Sequence, residues 1–433
     1  MKKSSFFMQI TLLPPKEIGG TIYLPASKSL SNRALIITAL SQKGRVFDEK
    51  ILSCLQNISD CDDTRVMLTA LQERPETVNV QAAGTAMRFL TAYLSVIPGT
   101  HLITGSERMR HRPIAPLVDA LRHLGSRIDY FGDEGFPPLH IEGSDLSGGE
   151  LDLPGGVSSQ YISALLMIGP VLANGMTLHL TGQVVSRPYI DMTLEVMHHF
   201  GAQAQWMDER TIHVESGGYK LTPYYIESDW SASSYWYETI ALSSDPSAKI
   251  ILPGLFQRSL QGDGAVQRMF RPLGVETEFV RDASGLEGIL LRKTECQVKR
   301  LSLDFSNQPD LAQTLVVTCA MLGIPFHFTG LQSLKIKETD RLAALRIELR
   351  KLGYILHEEQ GSILQWDGER TSAQPDAAID TYEDHRMAMS FAPACLKLGS
   401  IKINDPHVVS KSYPSFWDDL EKAQFKVQDT QYI

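Results

Sequence analysis

Leu24-Pro25-Ala26-Ser27-Lys28-Ser29-Leu30-Ser31-Asn32-Arg33 runs straight into the apolar segment Ala34–Leu40. A Pro-led turn, three hydroxyls and two cations stand where a helix should begin. Free backbone N–H groups and fixed positive charge then point at one place, which is how a protein holds a phosphate. Taken alone, the stretch reads equally well as an ordinary Ser-capped helix whose Lys28 and Arg33 are solvated. Further segments decide the matter, because several others pair small or hydroxyl residues with an Arg or Lys at a helix start.

Those segments sit in a repeat. A helix-like segment ending in Leu-Gly or its equivalent is followed by a short alternating strand at four places. These are Gly125 before Ser126–Tyr130, Gly201 before Ala202–Trp206, Gly274 before Val275–Phe279, and Gly353 before Tyr354–His357. Glycine just past a helix end relieves the left-handed turn that stops it, and the next strand then folds back. The near-equal spacing argues for a repeated α/β unit. Weaker copies at Leu68–Leu71 before Val78–Val80 and at Leu396–Gly399 before Ile401–Ile403 suggest six related units. Expected strands at Ile22–Leu24, Leu102–Thr104, Leu178–Leu180 and Lys249–Leu252 alternate with helices such as Ser158–Leu172 and Leu311–Met321. The fold class is therefore α/β, with helices packed on sheets. A boundary near Thr222-Pro223 falls between the second and third repeats.

At 433 residues the chain is too long for one core. Its 43% hydrophobic and 21% charged content is that of a globular protein. A net charge of −9 without a basic stripe argues against nucleic acid, so an anionic ligand must be held by a local cluster. Cys54, Cys61, Cys296, Cys319 and Cys395 are odd in number and lack a CxxC pair, which points to a reducing compartment and to packing roles. Met1-Lys2-Lys3 with Phe6–Leu13 only faintly resembles a signal peptide, lacking a small-residue cleavage pattern. The longest apolar run, Ile162–Ala173, is far short of the ~20 residues that span a bilayer. A cytoplasmic protein without membrane contact is the expectation.

Several segments could carry chemistry. Ala82-Ala83-Gly84-Thr85-Ala86-Met87-Arg88 is a small-residue turn entering a helix, open to a ligand at the backbone or merely tight. Arg108-Met109-Arg110-His111-Arg112-Pro113 puts three guanidiniums in five residues, either a solvated loop or a carboxylate and phosphate clamp. Ser158-Ser159-Gln160-Tyr161 and Ser186-Arg187-Pro188-Tyr189 add hydroxyls at helix starts. Asp229 and Asp310 both read locally as N-caps. Lys335-Ile336-Lys337-Glu338-Thr339-Asp340-Arg341 sets cations at a helix N-terminus, where the dipole does not favour them but an anion would. Asp384-His385-Arg386-Met387-Ala388-Met389 opens another helix, and Ser410-Lys411-Ser412-Tyr413-Pro414 closes the set. His385 has no partner at metal-ligand spacing, which leaves it a capping or orienting role.

Together these segments resemble the enolpyruvyl transferase family, from about Ile22 to Phe416 and in the family's order. The motifs that carry the resemblance are Lys28-Ser29 with Arg33, Ala83–Arg88, Ser158–Gln160, Lys337–Arg341 and Asp384–Met389. The resemblance implies a two-domain fold, each domain built of three α/β units, with the chain crossing between them twice. It puts 25–223 in the first domain and 1–24 with 224–433 in the second. It further implies transfer of the carboxyvinyl group of phosphoenolpyruvate to the 5-hydroxyl of shikimate 3-phosphate through a tetrahedral intermediate, a step of aromatic amino acid and chorismate biosynthesis.

By the same resemblance the catalytic residues are Asp310, which accepts the hydroxyl proton, Glu338, which protonates the methylene carbon, and Lys28, which touches both substrates and shares in proton transfer. Ser29, Arg33, Ser158, Ser159, Gln160, Ser186, Asp310 and Lys337 would join Lys28 in holding shikimate 3-phosphate, with Ser333 standing where the family commonly has an Asn against the ring. Gly84, Arg108, Arg341, Arg386 and Lys411, with Lys28 and Gln160, would hold phosphoenolpyruvate. No metal or organic cofactor is implied, and a monomer is the default. Ala26, Ala82 and Phe89 replace the family's usual Gly, Asn and Pro. Phe89 is expected to reshape the helix behind Gly84. Gathering so many cations without anions would be costly, so the unliganded protein is expected to stand open. The alternatives are transfer to UDP-N-acetylglucosamine, whose enzymes carry a loop Cys that Thr104–Pro113 lacks, and a ligand-binding relative without activity.

Overall fold

Each of the four Leu-Gly junctions does end a helix in the left-handed region. Gly125, Gly201, Gly274 and Gly353 have φ of 102°, 83°, 88° and 89° in the computed structural model, which describes residues 8–42, 45, 47–156 and 158–431. After three of them the chain enters a strand within three residues, at Arg127–Tyr130, Ala204–Trp206 and Val275–Arg281. After Gly353 it does not. Tyr354 makes only an isolated bridge to Arg370, and the strand is His357–Glu359. The ring of Tyr354 lies under the Arg370 guanidinium, 3.7 Å away, and turns edge-on to Trp366, so side-chain packing replaces the expected ladder.

Each of these strands forms a hairpin with the next one: Leu139–Gly143, Thr211–Val214, Glu287–Lys293 and Ile363–Trp366 respectively. The second hairpin strand then pairs antiparallel with a strand that precedes the helix. In three sheets that strand has a parallel neighbour: Thr77–Asn79 beside Gly99–Thr104, Gly149–Pro154 beside Met176–Thr181, and Leu301–Asp304 beside Phe326–Thr329. The sheet of Lys249–Pro253 keeps only a trace of it, the bridge between Thr21 and Ile251. The expected strand Ile22–Leu24 is thus extended chain. Gly19-Gly20 before it and Pro25 after it leave too short a run, and Pro25 cannot donate to a ladder.

The C-terminal sheet repeats the pattern with a borrowed member. Ala378–Ile379 runs parallel to Ile401–Asn404, and Met8–Leu13 fills the next place, antiparallel to both Ile401–Asn404 and Lys426–Gln431. A short parallel pair, Leu55–Gln56 with Tyr224–Tyr225, is the sixth sheet.

Two compact units result. One, here the continuous unit, runs from Ala26 to Glu227; the other, the split unit, gathers the chain up to Pro25 and from Ser228 onward. The crossings lie slightly beyond the expected 24/25 and 223/224. Tyr224–Tyr225 pairs inside the continuous unit and Ser27 N donates to Glu227 O, whereas Asp229 N donates to Pro25 O in the split unit, both at 2.9 Å. In the continuous unit the helices Lys28–Ser41, Gly84–Ser95 and Ser159–Ile168 pack on one another. Ser159–Ile168 is followed by a 3-10 turn, Gly169–Val171, so the helix expected to reach Leu172 is tightened at its end. In the split unit the corresponding helices are Trp230–Leu242, Ala312–Leu322 and His385–Phe391. These helices are buried almost all round, polar residues such as Ser31, Asn32, Ser233 and Ser234 included.

Cys61, Cys319 and Cys395 are buried, but Cys296 is exposed, so packing does not account for it. Among the described residues no helix is long and apolar enough to cross a membrane. The stretch Met1–Phe7, part of the signal-peptide comparison, lies outside them.

Candidate active site

In the continuous unit the candidate residues gather at helix N-termini. Ser27 caps the helix that begins at Lys28, and Lys28 Nζ lies 3.4 Å from Asp63 Oδ2 at the start of the helix Asp62–Glu73. Ser158 Oγ accepts from Gln160 N, capping the helix Ser159–Ile168. Gln160 Nε2 in turn donates to Thr85 Oγ1 at 3.1 Å, which ties that helix start to the one at Gly84. Ser186 precedes the helix Arg187–His199 with φ 55°, a left-handed conformation uncommon for Ser. Ser29 is half-buried one residue into its helix.

Two arginines of the candidate set differ in their surroundings. Arg33 is 2% exposed and its guanidinium is taken up by the protein. It donates to Thr193 Oγ1 (2.7 Å), Ser29 O (2.9 Å), Ser163 Oγ (3.0 Å) and Tyr189 O (3.2 Å). Its charge also sits 5.3 Å over the Phe89 ring, and desolvation lowers its pKa to about 10. Arg33 thus locks three helices together. Phe89, within the helix Gly84–Ser95, serves as this cation's floor.

Arg108, expected at the site, is exposed on the short helix Glu107–Arg110. Arg112 is the buried one of the run. A Cβ built on Gly84 would meet Arg112 Nη1 at 2.6 Å and Nη2 at 2.9 Å, so the guanidinium lies against the helix start. Its buried Nε has no hydrogen-bond partner among the described residues. Helical phase does not single it out, because Arg112 lies beyond the end of the helix Glu107–Arg110 that carries the inward-facing Met109.

The split unit holds one dense ion network. Asp310 is not an N-cap; it lies in the 3-10 turn Pro309–Leu311, and Gln308 holds the cap position. Its Oδ1 accepts from Arg341 Nη1 at 3.1 Å and its Oδ2 from Arg386 Nη2 at 2.9 Å, with Lys337 Nζ 3.5 Å from Oδ1. Glu338 Oε2 accepts from Arg341 Nη2 at 2.9 Å, and its Oε1 is 3.5 Å from Lys411 Nζ. Burial pushes the Asp310 carboxyl up, but Arg386, Lys337 and Arg341 together outweigh it and hold the group well below the usual carboxylate range. Burial acts against the Arg341 charge, and Asp384, Glu338 and Asp310 more than restore it. Lys335 belongs elsewhere, 2.9 Å from Glu358, so the two lysines of the charged run serve different partners. Ser333 is half-buried in the 3-10 turn Gln332–Ile336.

Sequence reasoning missed Asp384. It is fully buried, caps the helix His385–Phe391 by accepting from Arg386 N at 2.9 Å, and takes Arg341 Nε at 2.7 Å and Nη2 at 3.4 Å. Of the capping or orienting role expected for His385, the cap belongs to Asp384, and His385 lies buried in the first turn. Asp229 is the N-cap it looked like, accepting from Ser231 N and Ala232 N.

The model of the family described as EPSP synthase (3-phosphoshikimate 1-carboxyvinyltransferase) matches residues 12–77 and 72–420. The chain belongs to the EPSP synthase family. A 3-phosphoshikimate 1-carboxyvinyltransferase of Bacteroides fragilis is 58% identical over 421 residues, covering 97% of this chain and 99% of that one. One of Shewanella halifaxensis is 34% identical over 95% of this chain and 98% of its own. Among solved structures, EPSP synthase from Acinetobacter baumannii superposes with a TM-score of 0.74 at 21% identity, over 98% of this chain and all of that one. The enolpyruvyl transferase NikO from Streptomyces tendae gives 0.69 at 14% identity over 99% of this chain and 100% of its own. The fold of this EPSP synthase family member is thus the two-domain α/β fold of the enolpyruvyl transferases.

Proposed function

We propose that the protein transfers the carboxyvinyl group of phosphoenolpyruvate to the 5-hydroxyl of shikimate 3-phosphate and releases phosphate. The observation that carries the reading is the near full-length identity to a curated 3-phosphoshikimate 1-carboxyvinyltransferase, with Lys28, Asp310 and Glu338 all present. The chemistry needs a base, an acid for the methylene carbon and cations for several anionic groups. In the addition step the 5-hydroxyl oxygen bonds to C2 of phosphoenolpyruvate, Asp310 takes the hydroxyl proton, and Glu338 delivers a proton to C3. In the elimination step C3 gives up a proton, the C2–O bond to phosphate breaks, and the enol ether is left.

Lys28, Ser29, Ser158, Ser159, Gln160, Ser186, Asp310, Ser333 and Lys337 are assigned to shikimate 3-phosphate. Arg341, Arg386, Lys411, Gly84, Lys28 and Gln160 are assigned to phosphoenolpyruvate. Arg108 is assigned there as well, and Arg112, buried against Gly84, joins it. Arg33 is assigned to holding Ser29 and the helix starts in place. A cytoplasmic monomer completes the reading.

Phosphate release from phosphoenolpyruvate, measured with and without shikimate 3-phosphate and in parallel with UDP-N-acetylglucosamine, tests it. Release that depends on shikimate 3-phosphate is expected; release with UDP-N-acetylglucosamine, or silence with both, refutes it. Glu338→Gln should retain shikimate 3-phosphate binding while slowing turnover by orders of magnitude. Equal loss of both would remove Glu338 from its role.

A further inference from the structure

In the ion network of the split unit, one carboxylate joins the two arginines assigned to the donor. Each oxygen of Asp310 takes a terminal nitrogen of a different guanidinium, Arg341 Nη1 at 3.1 Å and Arg386 Nη2 at 2.9 Å. A planar carboxylate bridging two forks is also how a ligand carboxylate would sit there. Arg341 has few other ways to receive it, since Nε and Nη2 are engaged by Asp384 and Glu338. Arg386 Nη1 is likewise engaged, by Tyr235 Oη and Asp310 O, both at 3.3 Å.

We propose that Asp310 is an internal stand-in for the donor's carboxylate, occupying Arg341 and Arg386 until the donor displaces it and thereby frees it to act as base. The inference rests on the function proposed above and deepens it. The groups facing Asp310 are Arg341, Arg386 and Lys337, with Glu338 and Asp263 as the nearby acids. While Asp310 holds both arginines it is a weak base, because its charge is already satisfied. Once the donor anion neutralises them, the same carboxylate sits beside compensated cations and its proton affinity rises. Asp384 plays the opposite part. Its grip on Arg341 Nε and on the backbone of Arg386 keeps both guanidinia aimed while Asp310 lets go, which makes it a positioning residue.

The two acids should therefore respond to substitution with opposite signs. Phospholactate, which carries the donor's carboxylate and phosphate but no double bond, is titrated calorimetrically into the protein saturated with shikimate 3-phosphate. Asp310→Asn should bind it about tenfold more tightly, the gain expected if the arginines are unoccupied in only about one molecule in ten. Asp384→Asn should bind it at least about tenfold more weakly, having lost a charged hydrogen-bond acceptor. Equal or weaker binding by Asp310→Asn overturns the proposal, and Asp310→Ser replaces it if thermal melting shows the first variant unfolded. Shikimate-dependent phosphate release by the wild type alongside that result would leave the function standing. Absence of both release and phospholactate binding in the wild type would remove the function and the proposal together.

Discussion

A methyl group on Gly84 would lie 2.6 Å from Arg112 Nη1, closer than real side chains tolerate, so the guanidinium would have to retreat from the helix start. Gly84→Ala is therefore expected to raise KM for phosphoenolpyruvate about tenfold while lowering kcat less, since it displaces a binding cation and leaves the acid and base alone. Steady-state kinetics check it, and Arg112→Ala should reproduce the direction with a larger effect. Residue types were legible here but ranking was not. Three arginines in five positions are equivalent in composition, and the one that turns inward, Arg112, lies beyond the end of the short helix, where tertiary packing and not local period places it. Arg33 is the same lesson reversed: a cation at a phosphate-like helix start turned out to be saturated by Thr193, Ser163 and two carbonyls.

Buried polar groups along the inner helices of the split unit set how that bundle responds to pH. Glu238 on the helix Trp230–Leu242 is fully buried, and desolvation raises its pKa well above the usual 4.5, opposed only by a contact to Thr318. The folded protein then keeps a proton that the unfolded chain releases. The stability this proton provides is complete below about pH 4.5 and is lost as pH rises toward the folded value. Glu238→Gln should raise stability at pH 7 by about 1–3 kcal/mol, a gain over wild type that shrinks toward low pH and grows as pH rises, as read from urea unfolding at several pH values. At this scale the helices and their glycine stops were legible, because period and punctuation are local. Strand ends were not: Ile22–Leu24 and Tyr354–His357 both have strand composition, yet each lacks a full-length partner, and partnering is decided by distant chain.

Both proposed substrates are anions on a protein of net charge −9, so affinity must come from fixed local cations, and binding should register as stability of the whole chain. With shikimate 3-phosphate at about one hundred times its Kd, the unfolding free energy should rise by about 2.7 kcal/mol, and UDP-N-acetylglucosamine at the same concentration should leave it unchanged. Thermal melting reads both. The two-unit plan followed from the repeat and the family resemblance together, while the handover points depended on single backbone bonds at Ser27 and Asp229. The strand Met8–Leu13 lies between Ile401–Asn404 and Lys426–Gln431, with Gln9 and Asn404 separated by 395 residues. On the ribosome that separation becomes time. At 5–20 residues per second a nascent Met8–Leu13 waits roughly 20 to 80 s for its first neighbour, while Ala26–Glu227 emerges complete in the interval. A strand made early is thus secured late, and until then it is an unpaired edge that a chaperone or another nascent chain can reach.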